Sequence, residues 1–333
     1  MTKLVAMLAG LALAIGAFAA SGTAQSSPTT WKVAIGGETP DHGIQANLFA
    51  PGTITIHVGD TVTWTMGAVY DHTVTFLSGA RLPDFAIPEN GGKLLFNPAV
   101  ALPQGLNTYI GKGVASSGFL HLKGAYSLTF TKPGSFAYLC LLHPGMTGTV
   151  IVEPAGSPLN STQADYDKRA AQQVRAALEK GEAMLASAKV TVSKSAKGSV
   201  YTSPLVGSLP SHASIIRFNS ETITIKAGDT VRWAMKDPVE LHTVTFSGTG
   251  APPDFVIPDP QPKGPPKFYF NSKVAFPGGG ARHTGNGYYN SGFLDLSSPG
   301  PKAYSVTFTK PGTYSYWCVV HIPQGMKGTI VVQ

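Results

Sequence analysis

Two short stretches hold the residues with the most chemical potential. Residues 138–146 read YLCLLHPGM and residues 316–326 read YWCVVHIPQGM. Each offers a thiol (Cys140, Cys318), an imidazole three residues on (His143, His321) and a thioether shortly after (Met146, Met326). A further histidine stands well upstream of each, His72 in DHTVTF and His242 in LHTVTF. Thiolate and thioether sulfur select soft, polarizable metals. Two imidazoles, one thiolate and one weak axial thioether form the donor set that holds copper in blue electron-transfer centres. The chain offers that set twice.

The elements that position these residues also come in two copies. ITIHVGDTVTW (54–64) matches ITIKAGDTVRW (223–233), and PDFAIP (83–88) matches PDFVIP (253–258). SGFLHL (117–122) matches SGFLDL (291–296), and YSLTFTKPGSFAYLC (126–140) matches YSVTFTKPGTYSYWC (304–318). A likeness running through both halves marks a duplicated domain. Within each copy the runs ITI and TVTW alternate apolar and polar residues, as half-buried strands do, and Gly-Asp separates them as a turn. Lys-Pro-Gly before the strand that delivers the cysteine is a second turn. Many short strands with regular turn signals predict β-sandwiches, with Trp64 and Trp233 in their cores. Between the copies, residues 165–189 are rich in Ala, Gln, Lys and Glu, with Tyr166, Ala170, Val174, Leu178 and Leu185 on one stripe. This predicts an amphipathic helix interrupted at Gly181, with Asp165 and Asp167 near its start and Lys189 near its end to suit the helix dipole.

The chain of 333 residues is long enough for two domains. It opens with Lys3, an apolar run over residues 4–20 and small residues ending near Ala24, the pattern of an export signal cleaved after Ala24. The expected divisions are therefore a signal at 1–24, domains at 25–153 and 199–333, and a helical linker at 154–198. Export would leave the mature chain periplasmic or extracellular, with no stable membrane insertion. In such a compartment two cysteines are free to oxidise. Pairing Cys140 with Cys318 would require two domains to dock ligand loop to ligand loop, so no disulfide is expected. Lys and Arg exceed Asp and Glu by 25 to 18. The excess is dispersed, without an Arg-rich cluster, which excludes a nucleic-acid partner.

Both halves resemble the cupredoxin family. The resemblance rests on F-x-P-x-x-I-T-I-x-x-G-D-T-V-x-W in the first half, H-T-V-T-F in both, and the cysteine loop. It implies an all-β chain of two Greek-key sandwiches joined by a helical linker, each sandwich binding one type 1 copper. The implied ligands are His72, Cys140, His143 and Met146 in the first, and His242, Cys318, His321 and Met326 in the second. The first loop has amicyanin-like spacing and the second plastocyanin-like spacing. The family's function would be outer-sphere electron transfer between a donor and an acceptor protein. Two departures stand out. Met66 and Met235 occupy a place where the family often has Asn, so hydrogen bonds around the ligand loop would differ. The first histidine and the cysteine are 68 and 76 residues apart, which requires an insertion between them. A Gly-rich aromatic insertion either completes the sandwich or covers the metal as a docking face; the first is the simpler expectation.

Other functions ask for residues that are missing. Multicopper oxidases and copper nitrite reductases repeat the same fold, but they need histidine-rich ligands for further copper, and the sequence contains no His-x-His. A dinuclear copper centre needs a second cysteine in the loop. Storage or delivery of copper(I) remains as the alternative, though such proteins favour exposed Met- or His-rich clusters. The other histidines do not recur: His57 aligns with Lys226, His121 with Asp295 and His283 with Tyr109, while His42 and His212 fall in variable segments. All five are expected to be surface or structural residues.

Overall fold

The computed structural model describes residues 27–264, 266–297 and 300–333. The expected export signal lies outside the described residues. Among the described residues no helix is long and apolar enough to cross a membrane.

Each half is a β-sandwich. In the first, strand Thr61–Met66 turns Val62, Trp64 and Met66 inward and lies between Thr30–Glu38, to which it is parallel, and Ala125–Phe130, to which it is antiparallel. The facing sheet runs Thr53–His57, Thr147–Glu153, Gly134–Leu139, Thr75–Phe76 and Ala115–Ser116. The second half repeats this with Gly198–Ser208, Thr230–Lys236 and Ala303–Phe308 against Thr222–Ile225, Lys327–Val332, Gly312–Trp317, Thr245–Phe246 and Tyr289–Ser291. Trp64 and Trp233 are fully buried, each with a tyrosine edge-on near 5 Å, Tyr138 at 5.2 Å and Tyr316 at 5.1 Å. Those tyrosines lie flat over Gly148 and Gly328, where a Cβ would sit 2.3 and 2.4 Å from the ring. Only glycine lets the tyrosine seat there, and the cysteine follows two residues later.

The Gly-Asp turns have a purpose beyond chain reversal. Asp60 is buried and its carboxylate accepts the His57 and Thr29 N–H groups and the Trp31 indole N–H. Asp229 accepts the Lys226 and Ser199 N–H groups in the same way. The preceding Gly59 and Gly228 have φ of 95° and 96°, which residues with a Cβ avoid.

The halves are joined more closely than a linker alone requires. Strand Ala213–Ile215 pairs antiparallel with Ile44–Ala50, which merges one sheet from each half into a continuous eleven-stranded sheet. The insertions form two hairpins, Ala86–Glu89 with Lys93–Phe96 and Val256–Asp259 with Lys267–Phe270, and these meet edge to edge at Leu95 and Tyr269. Phe85, Phe96, Phe255 and Phe270 pack beneath them as one aromatic cluster. The insertions thus do two jobs: their ends complete the sandwiches and their hairpins bind the halves to each other.

The helix runs from Gln163 to Ser187, opened by a capping box between Thr162 and Asp165. Tyr166 stacks edge-on to Trp31, and Val174, Ala177 and Leu178 cover Ala46, Leu48 and Ala50. Two sequence expectations are corrected. The helix passes through Gly181 without a break, and the glycine is there for packing, since Ile44 lies 2.3 Å from where a Cβ would sit. It stops before Lys189, so no basic side chain lies in its last turn. Residues 191–195, placed in the linker by composition, form a strand that pairs with Gly198–Ser208.

Candidate metal centre

Strand Gly134–Leu139 ends one residue before Cys140, and Gly312–Trp317 one residue before Cys318. The following loop folds back on its own backbone. Cys140 N–H donates to the Met146 carbonyl at 2.9 Å and Met146 N–H to the His143 carbonyl at 3.2 Å. In the second half the same two bonds measure 3.1 and 3.1 Å, and the extra length between His321 and Met326 is taken up by a turn in which Gln324 N–H donates to the His321 carbonyl and Gly325 N–H to the Ile322 carbonyl. The upstream histidine is tied to this loop through the residue after it. Thr73 accepts the Leu141 N–H at 2.7 Å and donates its own N–H to Cys140 Sγ at 3.3 Å. Thr243 does the same for Val319 and Cys318, at 2.8 and 3.3 Å. A backbone N–H aimed at the sulfur spreads thiolate charge and fixes its direction.

The result is a cluster of one sulfur and two imidazoles in each half. Cys140 Sγ lies 3.7 Å from His72 Nδ1 and 3.4 Å from His143 Nδ1. Cys318 Sγ lies 3.8 Å from His242 Nδ1 and 3.2 Å from His321 Nδ1. In each cluster the donor atoms fall within 4.8 Å of one another. Metal–sulfur and metal–nitrogen bonds of about 2.3 and 2.0 Å that meet near 120° span about 3.7 Å, so the clusters fit a first-row ion. Met146 and Met326 are each 1% exposed, and each lies in the same core cluster as its cysteine. All eight residues singled out in the sequence are buried, and each half brings its two histidines and its cysteine together.

Electrostatics favour the donor form of the sulfur. Burial opposes ionisation of Cys140, but His143 and His72 outweigh it and hold the thiol well below its ordinary range. His321 and His242 do the same for Cys318. Both cysteines are free.

The sequence reading missed the residues behind the histidines. His242 Nε2 lies 3.6 Å from the fully buried Asp237, whose other oxygen accepts the Val239 and Glu240 N–H groups. Glu240 lies between His143 and His321, and Tyr70 stacks on His321. Their signal was faint: Tyr70 and Glu240 each stand two residues before the upstream histidine, where the halves disagree. The remaining histidines are elsewhere. His57 contacts the Ser157 carbonyl, His42 pairs with Glu38, His121 with Asp71, His212 lies in a turn, and His283 is buried among aromatic rings. Between the halves a cavity of about 690 Å³ is lined by Phe85, Phe119, Phe255 and Trp317 and reaches His143 and Glu240.

Known proteins share this pattern. Amicyanin from Paracoccus versutus is 28% identical over 151 residues, 44% of this chain and 92% of its own length. Plastocyanin from Scenedesmus fuscus is 31% identical over 116 residues, 35% of this chain and 86% of its own. Among solved structures, the crystal structure of P. versutus amicyanin is 26% identical and covers 37% of this chain and 81% of that one, with a TM-score of 0.24. The sequence profile of the copper-binding proteins of the plastocyanin/azurin family matches residues 41–153 and again residues 207–333. With that match over both halves, the chain belongs to the plastocyanin/azurin family of copper-binding proteins, in a tandem form.

Proposed function

We propose that the chain is an exported, periplasmic or extracellular electron carrier with two type 1 copper sites. It would take one electron at a time from a donor protein and pass it to an acceptor. His72, Cys140, His143 and Met146 would hold one copper, and His242, Cys318, His321 and Met326 the other. Bound there, copper supplies a one-electron couple between its +1 and +2 states. What carries the reading is the pair of buried clusters, each a sulfur with two imidazole nitrogens at 3.2–3.8 Å.

The protein's own groups have three tasks. Loop hydrogen bonds hold the donors in place, so little rearranges when charge changes. The Thr73 and Thr243 N–H groups stabilise the sulfur as an anion. Burial of all eight side chains excludes water, which leaves the site closed to a substrate and favours electron transfer over catalysis. The same burial argues against copper handover, which requires ligands that a second protein can reach.

The test is oxidative loading with copper, followed by metal analysis and a visible spectrum. Two coppers per chain, an intense blue colour and a reversible one-electron response at each site are expected. A colourless loaded protein, or one that loses its metal on reduction, overturns the reading.

A further inference from the structure

His143 and His321 belong to different halves, yet their outward ring nitrogens face one carboxylate. His143 Nε2 lies 3.4 Å from Glu240 Oε1, and His321 Nε2 lies 3.6 Å from Glu240 Oε2. Glu240 is 3% exposed, His143 2% and His321 0%. Asn47 of the first half donates to Glu240 Oε1 at 2.9 Å and to Ser214 Oγ at 3.2 Å, on the two strands that join the sheets. Tyr70 closes the other side. Its ring is stacked on His321 with centroids 5.0 Å apart, lies 5.4 Å from His143, and its hydroxyl contacts His321 Nε2. Tyr70 and Glu240 occupy equivalent places in the repeat, so each half contributes one residue to a contact spanning both sites.

Two consequences follow from this placement. A carboxylate held in a low-dielectric interior acts strongly on charges a few ångströms away, and here it is almost equally near both histidines. It favours whichever state of each site carries more positive charge. Secondly, the imidazole edges are turned toward each other and away from solvent. Both imidazoles are almost sealed from solvent, and the two sites are separated only by His143, Glu240 and His321 in sequence of contact.

We propose that Glu240, with Tyr70 packed beside it, is a positioning residue shared by the two metal sites, through which they exchange an electron inside the chain and sense each other's charge. This rests on the two-copper reading above. The step is a pure electron transfer: one electron leaves the reduced ion of one half and arrives at the oxidised ion of the other. No bond forms or breaks and no proton moves.

The experiment uses full-length protein with Cys140→Ser or Cys318→Ser, each leaving one site, and adds Glu240→Gln to both. Copper content and colour are measured first. Failure of either single-site protein to hold about one copper before Glu240 is changed overturns the two-copper reading itself. With the metal in place, Glu240→Gln is expected to raise both midpoints, each by tenfold or more in the one-electron equilibrium, which is about 59 mV. Glu240→Asp, which keeps the charge, should keep both within threefold. In two-copper protein, redistribution of a single electron after pulse reduction, followed by freeze-quench spin resonance, should slow at least tenfold in Glu240→Leu. A midpoint shift at one site only, no shift at either, or an unchanged redistribution rate overturns the shared role. A purely structural role would not move two separate potentials in the same direction.

Discussion

His72 and His242 hold equivalent places in the two halves, yet their outward nitrogens meet different surroundings. His242 Nε2 faces the buried carboxylate of Asp237 at 3.6 Å. Neither Nε2 makes a hydrogen bond among the described residues, but His72 Nε2 lies against Gly36, where a Cβ would stand 2.9 Å from it, instead of against a carboxylate. The backbone explains both arrangements. Gly207 leaves the space that Asp237 fills, since a Cβ there would come within 2.2 Å of its carboxylate. Burial lowers the pKa of His72, helped by neighbouring His143, whereas for His242 the contact with Asp237 and then with Cys318 outweighs burial and pushes it up to about 10. The inner geometry of the two sites is a copy; the electrostatic support is not. Duplication preserved the cluster of one sulfur and two imidazoles and released the groups around it.

The largest effect that tests this comparison is loss of the metal itself. Cys140→Ser and Cys318→Ser should each remove one of the two coppers and the matching part of the blue absorption, because no other thiolate is near. Each variant then displays the other site alone. If either substitution removed both coppers, the halves would not be independent sites.

Next in size is the effect of Asp237. A buried anion beside His242 stabilises the oxidised, more positive state, so the Cys318 site should have the lower midpoint. The second half carries eleven Lys and Arg against seven Asp and Glu, which pulls the other way. Those charges are spread over the surface and screened by salt, while Asp237 is local and fully buried, so the carboxylate should win. Asp237→Asn is expected to raise the Cys318 midpoint by about tenfold in the one-electron equilibrium, about 59 mV. The Cys140 site should barely move. Titration of the two single-site proteins with and without this change measures both. An unchanged Cys318 midpoint would leave the loops as the source of any difference: Pro144 and Gly145 separate His143 from Met146, against four residues between His321 and Met326.

These differences mark where sequence reasoning ended. Cys140, His143 and Met146 were legible because local spacing in one loop fixes them, and the strand alternation around Trp64 fixed the sandwich. Glu240 was not legible. Its importance depends on two domains docking face to face, and that docking comes from the Ala213–Ile215 pairing with Ile44–Ala50 and from hairpins meeting at Leu95 and Tyr269. Nothing in either segment distinguishes a strand that pairs within its own half from one that pairs across. The Gly181 interruption failed for a related reason. A glycine in a helix lowers its propensity by about 1 kcal/mol, but here close packing on Ile44 requires it.

The smallest effect concerns stability away from the metal. Tyr109 and His283 occupy equivalent buried places, packed on Phe76 and Phe130 in the first half and on Phe246 and Phe308 in the second. Burial among these rings holds the His283 pKa down to about 4. The Gly285 N–H donates to its Nδ1 at 3.2 Å, a contact that needs that nitrogen unprotonated. Above pH 6.5 the imidazole is neutral folded and unfolded, and it adds no pH dependence. As pH falls from about 6.5 toward about 4, the unfolded chain gains a proton that the folded chain refuses. Stability should therefore fall through that window and level off below it, by roughly 2 kcal/mol from this residue once partial solvent contact is allowed for. Tyr109 stays uncharged throughout, so the first half lacks this liability. Urea unfolding of metal-free protein at pH 7 and pH 4.5 should show a smaller acid loss in His283→Tyr than in the unaltered chain, and His283→Phe should agree with it. Equal losses in all three proteins would place the acid-sensitive proton outside this aromatic cluster.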